Sequence, residues 1–423
     1  MKQKHHRMLC AFCALVILVS TVFPTAAFAE QPVDAAAAEQ TLTRADAAEM
    51  QQADAAVTAL TESEQYQEMD TDARKDAALA QLDTLTEKGL VEKDSIYTDE
   101  ENGMVSFRYP CGVLGGILLT EPEDETLDEE NAGTETASNA LSLRLPPDLG
   151  AEMQKSRAAL LRRTENQAVE KFGTAVIYYA FDNTINSSRF PYYSYMQGFW
   201  SALGLETKIN IHVTVADLKK MGNYNVSVLS AHGSYYTYSY GKFLKRTRTE
   251  PIMLLTEEST FGKDLRYGFD LLAHRVIKVN GMYCVTSDFF RNAYKGGKLS
   301  NTIVYSETCE FLGVDGSEDN AMADALLSGG AQAVIGYVNN VYTVYSRSML
   351  WDTINHLIMG QNVGQALEHA KATYGEDDLI WYHAQGGRRP HAAASYAVLY
   401  GNSQAALHVP ESNRSMFSAD LAA

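Results

Sequence analysis

Apolar positions over residues 72–88 (DARKDAALAQLDTLTEK) recur at helical spacing. Leu79, Leu82 and Leu85 stand three apart, Ala78 lies four before Leu82, and Gly89 follows as a stop. That pattern predicts an amphipathic helix. The Ala-, Gln- and acid-rich stretch before it, from residue 30, reads as helical or disordered. The period then changes. Residues 96–99 and 104–109 flank Asn102-Gly103, a hairpin turn signal, and residues 113–119 add a third strand.

From about residue 170 strand and helix patterns alternate. TAVIYYAF (174–181) is an apolar, β-branched run suited to a strand covered on both faces. Further strands are predicted at 209–213, 226–230, 252–255, 276–285, 301–306, 332–338 and 396–400. Helices are predicted at 195–203, 216–221, 287–294, 321–327, 345–359 and 363–374, and 240–298 otherwise reads as irregular. The alternation predicts an α/β fold, a three-layer sandwich with a mostly parallel central sheet and helices on both faces. A small α+β region would precede it.

Charge divides the 423-residue chain. Residues 30–140 carry 27 acids and 6 bases, whereas residues 141–423 are balanced, so most of the net charge of −18 lies in the front. This balance argues against nucleic acid as a partner, because phosphate binding needs a basic stripe. Within the front, 121–139 (EPEDETLDEENAGTETASN) has eight acids and no bases, and 121–142 reads as a solvated linker. Residues 1–29 order a basic start (Lys2, Lys4, Arg7), a 16-residue apolar run and an Ala27-Phe28-Ala29 site. That is the layout of a secretory signal peptide, with cleavage expected after Ala29 and no membrane anchor in the exported chain. The expected organisation is therefore a leader (1–29), an acidic helical and hairpin region (30–120), the linker (121–142), a main domain (143–410) and a tail (411–423). Three cysteines remain after the leader, Cys111, Cys284 and Cys309. Three is odd, so at least one thiol is outside any intramolecular disulfide, and it is either buried or used.

In open α/β sheets, sites lie at the carboxyl ends of strands. Two strand ends carry reactive side chains. VSVLS runs into Ala231-His232-Gly233-Ser234, and NTIVYS runs into Glu307-Thr308-Cys309-Glu310. If those strands are parallel neighbours, an imidazole and a thiol face one edge, the minimum for nucleophilic acyl chemistry. The Gly233 and Cys309 N–H groups would then be candidates for an oxyanion hole. Taken singly, a His after a strand is also an ordinary loop residue and a Cys there a small buried one. No metal-ligand spacing is recognised in the chain.

At these residues the sequence resembles the caspase-like (clan CD) cysteine peptidases, a group that includes gingipains, clostripain-like enzymes, legumains, metacaspases and CHAT domains. In that group an apolar strand leads into His-Gly and a later one into a short acidic motif ending in Cys, as in VSVLSAHGS (226–234) and TIVYSETCEFLG (302–313) here. ADALLSGGAQAVIGYV (323–338), GQNVGQALEHA (360–370) and YAVLYGNSQAAL (396–407) resemble, in order, the elements that follow the nucleophile. The resemblance covers about residues 170–410 and leaves the front uncovered. It implies a caspase-like fold and an endopeptidase acting on polypeptides, with His232 as acid/base, Cys309 as nucleophile and Gly233 in the oxyanion hole; the leader pattern adds that it is secreted. Glu307 matches an acid that several of these families place at the floor of the S1 pocket, which implies a Lys or Arg preference at P1. Some members use calcium, but no loop here shows a calcium-ligand spacing.

Other readings stand beside these. Glu307 alone reads equally as a surface residue of a turn. Asp315, Asp319 and Asp324 are further candidate acids, with Asp324 on the solvent face of its helix. Tyr192, Tyr193, Tyr195, Tyr235, Tyr236, Tyr238 and Tyr240 line an aromatic cleft or pack loops together. Lys245, Arg246 and Arg248, and also Arg162-Arg163, are exposed basic clusters or self-cleavage sites. The acidic front is an intramolecular inhibitor, a spacer or a partner module. Two alternatives to hydrolysis are a silent binding module on the same fold and a thiol transpeptidase.

Overall fold

Thr43 starts the first helix with a reciprocal cap. Its Oγ1 accepts from the Asp46 N–H at 3.1 Å, and Asp46 Oδ2 accepts from the Thr43 N–H at 2.8 Å. This α1 (Arg44–Thr61) is followed by α2 (Glu64–Gln67) and by α3 (Thr71–Glu87), which Asp70 caps. α3 is the helix expected over 72–88, with Ala78, Leu82 and Leu85 buried. The Ala-rich stretch ahead of it is helical from Arg44. β1 (Tyr97–Asp99), β2 (Met104–Arg108) and β3 (Leu114–Leu118) form an antiparallel meander around the Asn102-Gly103 turn.

The computed structural model describes residues 41–119, 169–181, 192–241, 245–378 and 394–417. The leader, the linker and Arg162-Arg163 lie outside them. The remaining elements are β4 (Gly173–Ala180), α4 (Tyr192–Ala202), β5 (Leu205–Asn210), α5 (Val215–Leu218), β6 (Val226–Ala231), β7 (Gly233–Tyr240), β8 (Arg246–Glu258) and α6 (Phe261–Leu272). They continue with β9 (Val276–Val279), β10 (Met282–Thr286), α7 (Ser287–Ala293), β11 (Ile303–Ser306), β12 (Gly313–Val314), β13 (Ser317–Glu318) and α8 (Ala321–Ser328). The chain ends with β14 (Ala333–Val338), α9 (Thr343–Ile358), α10 (Val363–Tyr374), β15 (Tyr396–Gly401) and α11 (Glu411–Phe417).

Six strands form the central sheet, in the order β15-β14-β11-β6-β4-β5. All neighbours are parallel except β14 and β15. Because side chains alternate along a strand, each strand feeds two cores. Ala175, Ile177, Val226, Val228, Ile303 and Ile335 pack with Trp200 of α4, Ile354 of α9 and Ala366 of α10. Val176, Tyr178, Leu229, Val304 and Val334 pack on the other face with Phe290 of α7 and Leu326 of α8. The helix–sheet–helix layering expected from the alternation is therefore present.

β5 differs from the expected strand at 209–213. It begins directly after Gly204, at Leu205, and alternates buried Leu205 and Thr207 with exposed Glu206 and Lys208. It is the edge of the sheet, so it shows a period of two rather than an apolar run.

A second sheet is the larger departure from the sequence reading. Its seven strands run β1-β2-β3-β9-β10-β8-β7, combining the front of the chain with the stretch expected to be irregular. The single strand expected at 276–285 is a hairpin. Asn280 (φ 48°) and Gly281 (φ 76°) turn it between Val279 and Met282, the left-handed pair that a two-residue hairpin loop requires. β3 then pairs in parallel with β9, Gly115 opposite Lys278 and Gly116 opposite Val279.

The front region is thus continuous with the back of the chain, and the described residues from Leu42 onward form one compact unit. The reason is electrostatic as well as geometric. Lys278 is fully buried on β9, with its Nζ 2.5 Å from Asp54 of α1 and 2.9 Å from Asp264 of α6. Tyr109 donates to Asp54, Tyr283 to Asp264 at 2.8 Å, and Gln51 to Asp264 at 2.8 Å. A buried ammonium needs such partners, and α1 supplies one of its two carboxylates.

Candidate functional site

β6 leaves the central sheet at Ala231, and one residue later β7 begins in the second sheet. His232 is that single hinge residue. Its carbonyl accepts from the Leu254 N–H of β8 at 2.9 Å, and Gly233 stands opposite Met253. In an antiparallel ladder this bond marks Gly233–Met253 as a non-hydrogen-bonded pair, so the Gly233 N–H turns away from β8. The half-buried His232 ring stands edge-on to Phe181, with centroids 4.6 Å apart and planes at 89°. Phe181 follows β4 as His232 follows β6, and Ala180 pairs with Ala231, so register sets the two rings side by side.

β11 is the next strand, parallel to β6, with Ser306 opposite Leu229. The premise behind the expected Cys–His pair therefore holds: both strand ends face one edge. The approach is closer than neighbouring strands require. A Cβ added to Gly233 would lie 2.1 Å from the Cys309 carbonyl oxygen and 2.5 Å from Thr308 Cγ2. Only glycine lets the two segments touch in this way.

Cys309 is half-buried, and its Sγ meets the segment that opens α9. The Val341 N–H points to Sγ at 3.4 Å, and Sγ lies 3.7 Å from the Val341 carbonyl. Tyr342, the next residue, is the N-cap of α9, and its N–H is held by Asp378 at 2.6 Å. An amide donor and a helix amino end both favour negative charge on sulfur. The other two thiols also have a backbone hydrogen bond, but burial outweighs it. Burial pushes the Cys111 thiol up to about 11 and the fully buried Cys284 thiol higher still. Among the described residues no disulfide forms.

The residue after the nucleophile candidate is strained. Glu310 is buried and has φ 54°, a left-handed conformation that costs a non-glycine residue about 1–2 kcal/mol. Its N–H is tied to the Asn339 carbonyl at 2.9 Å. Asn339, fully buried just past β14, accepts from the Gly316 N–H and donates to the Ala394 carbonyl at 3.0 Å. The end of β14 thus clamps the loop carrying Cys309. Strain held by a rigid surround is a feature of functional loops.

Glu307 is not a surface residue of a turn: it is 4% exposed. Its N–H continues the ladder to the Leu229 carbonyl. Its Oε2 accepts from the Tyr193 hydroxyl at 2.9 Å, and its Oε1 accepts from the Ser346 hydroxyl of α9 at 3.3 Å. The Tyr193 oxygen also receives the Nε–H of Arg347 at 3.3 Å and lies 2.9 Å from Ser230 Oγ. The buried Arg347 guanidinium lies over the rings of Tyr192 and Tyr193. Sequence reasoning passed over Ser346 and Arg347, because a polar pair inside a helix gives no sign that it faces a strand end.

The tyrosines of β7 are mainly packing. Tyr235, Tyr236, Tyr238 and Tyr240 lie on β7 rather than in a loop, the first three buried. Tyr236 donates to the Gly115 carbonyl at 2.7 Å and Tyr235 to Asp319 at 3.1 Å. Asp319 is therefore engaged, while Asp315 and Asp324 are exposed. The basic cluster is dispersed. Lys245 binds the Asp94 carbonyl, and Arg248 pairs with Glu250 and Asp288. Neither a protein-family model nor a curated protein sequence matches the chain.

Proposed function

We propose that the protein is an exported cysteine-type endopeptidase of caspase-like fold. The observation that carries this reading is the seating of Gly233 on the Cys309 carbonyl, which joins the His-Gly and Cys segments at adjacent parallel strand ends. The Cys309 thiolate attacks the scissile carbonyl, and a C–S bond forms as the carbonyl electrons move to oxygen. The Gly233 N–H, turned out of its ladder, and the Cys309 N–H receive that oxyanion. His232, carrying the thiol proton, gives it to the departing amine as the C–N bond breaks. Water then hydrolyses the thioester with the same imidazole as base. Export rests on the leader pattern of residues 1–29. Among the described residues no helix is long and apolar enough to cross a membrane.

Glu307 is the acid proposed to select a basic P1 residue. Two hydroxyls occupy two of the roughly four acceptor positions of a carboxylate. A substrate cation would compete there with Arg347, which donates to the Tyr193 hydroxyl that in turn donates to Glu307. The front region is proposed as a structural part of the enzyme rather than a detachable inhibitor, since β3 supplies the partner of β9 and α1 a counter-charge of Lys278. Turnover of fluorogenic peptides ending in Lys, Arg, Asn or Asp by wild type and Cys309→Ala tests the proposal. Hydrolysis lost in Cys309→Ala supports it, and equal turnover by both removes Cys309 from the role.

A further inference from the structure

Asp352, His356 and His369 converge on the α9–α10 pair, apart from the chemistry assigned to Cys309. Asp352 and His356 are one helical turn apart on α9, and His369 faces them from α10. One ligand atom from each lies within 4.8 Å of the others. The His369 Nδ1–H donates to Asp352 Oδ2 at 2.7 Å, and His356 Nε2 lies 3.8 Å from Asp352 Oδ1. The two imidazoles are nearly stacked, with centroids 3.7 Å apart and planes at 32°. A single carboxylate thus gathers two imidazoles.

Ligand atoms around a tetrahedral zinc ion, each about 2.0–2.1 Å from it, stand roughly 3.3 Å apart. The separations of 2.7 and 3.8 Å, one to each oxygen of the Asp352 carboxylate, lie on either side of that value. His369 is 46% exposed and free to adjust, whereas His356 is buried. A second observation concerns the far side of His356. Its Nδ1 and Gln361 Oε1 are both buried without a well-formed hydrogen bond. A metal on Nε2 fixes the tautomer with the proton on Nδ1, from which it can donate to Gln361. Ligating histidines commonly hold their second nitrogen in this way.

We propose that Asp352, His356 and His369 form a site for a borderline divalent cation of the zinc class, with solvent in the fourth position. Two imidazoles and one carboxylate suit Zn2+, Co2+ or Ni2+ rather than Ca2+ or Mg2+. The ion would tie α9 to α10, and α9 is the helix whose Ser346 meets Glu307 and whose lead-in residue Val341 meets Cys309. Cys309 and His232 would themselves bind such metals, so the test uses the untagged full chain carrying Cys309→Ser. Zn2+ is titrated calorimetrically and Co2+ by its visible d–d absorption, against the same chain with His369→Ala or with Asp352→Asn. Circular dichroism confirms folding, and the exposed His369 makes its variant the safer one. The expected result is one tetrahedral equivalent that each variant weakens at least about tenfold, and a Zn2+-induced rise in unfolding temperature that His369→Ala abolishes. A parent that binds no metal, or variants that keep the same stoichiometry and affinity, would overturn the site.

Discussion

Gly233→Ala is the most informative single change, because it attacks the contact on which the catalytic assignment stands. The new Cβ would lie 2.1 Å from the Cys309 carbonyl oxygen, more than an ångström inside a normal contact, and the obstacle is backbone rather than a flexible side chain. β7 is held at this point by the Leu254–His232 bond, and the Cys309 loop is held by the Glu310–Asn339 bond. Neither can yield alone, so strain and a displacement of about 1 Å are shared between them, at a stability cost of about 1–3 kcal/mol. A misplacement of that size costs on the order of 10²-fold in rate. The control is Gly222→Ala. Its Cβ would meet the Lys298 carbonyl oxygen at 2.0 Å, an equal clash at the amino ends of the same two strands. Both variants should lose comparable melting temperature by calorimetry. Only Gly233→Ala should lose kcat/KM on a peptide substrate and slow the alkylation of Cys309. Equal alkylation rates in folded Gly233→Ala and Gly222→Ala would refute the argument.

Four further outcomes are expected. His232→Ala should lower turnover by roughly 10²–10⁴-fold at unchanged melting temperature; a variant as fast as wild type clears His232 of acid/base duty. Glu307→Gln, which keeps the Tyr193 and Ser346 hydroxyl contacts within reach, should selectively weaken cleavage after Lys and Arg, read as kcat/KM across P1 residues; an unchanged profile takes Glu307 out of specificity. Lys278→Met leaves Asp54 and Asp264 buried beside one another and should destabilise the fold by about 3–5 kcal/mol in urea unfolding, and cleavage between residues 120 and 168 should leave the two pieces associated on a sizing column; a fully active piece lacking residues 41–119 would show the front to be detachable. Burial lowers the pKa of His274 to about 4, its Nε2–H donating to the Gly112 carbonyl. Its folded pKa is depressed, so its contribution is present above pH 6.5 and is lost as pH falls toward 4, about 3 kcal/mol in all. Glu250, raised by burial to about 7, acts in the opposite sense, its contribution being lost as pH rises from 4.5 to 7. Glu250→Gln should therefore expose a steeper acid loss in unfolding curves; a slope unaltered by the change would contradict the Glu250 assignment, and no acid loss in the variant between pH 6.5 and 4 would contradict that of His274.

The inner strands of the central sheet were legible because they are covered on both faces and read as apolar runs, and because turns or caps end its helices, whereas edge strand β5, alternating buried and exposed, was misplaced. Both strand ends with reactive residues were found for the same reason. The second sheet was not legible. β8 carries Arg246, Arg248 and Glu250 among its apolar residues, and β3, the partner of β9, lies more than a hundred residues before it in sequence. The Asn280-Gly281 turn did carry a signal, the same dipeptide as Asn102-Gly103, hidden inside what looked like one long strand. Side chains that act through tertiary contact left no local mark. Phe181 beside His232, Ser346 and Arg347 near Glu307, and His369 opposite Asp352 each depend on which elements become neighbours.

The most direct test of the catalytic claim is covalent. The chain is incubated with peptidyl acyloxymethyl ketones ending in Lys, Arg, Asn or Asp, with and without calcium, and then mapped by intact mass and peptide mass spectrometry. A single adduct on Cys309, fastest with a basic P1 group and absent from His232→Ala and from Cys111 and Cys284, is the predicted result. A Cys309 that stays unmodified by all four probes, or one labelled no faster than Cys111, would contradict the account.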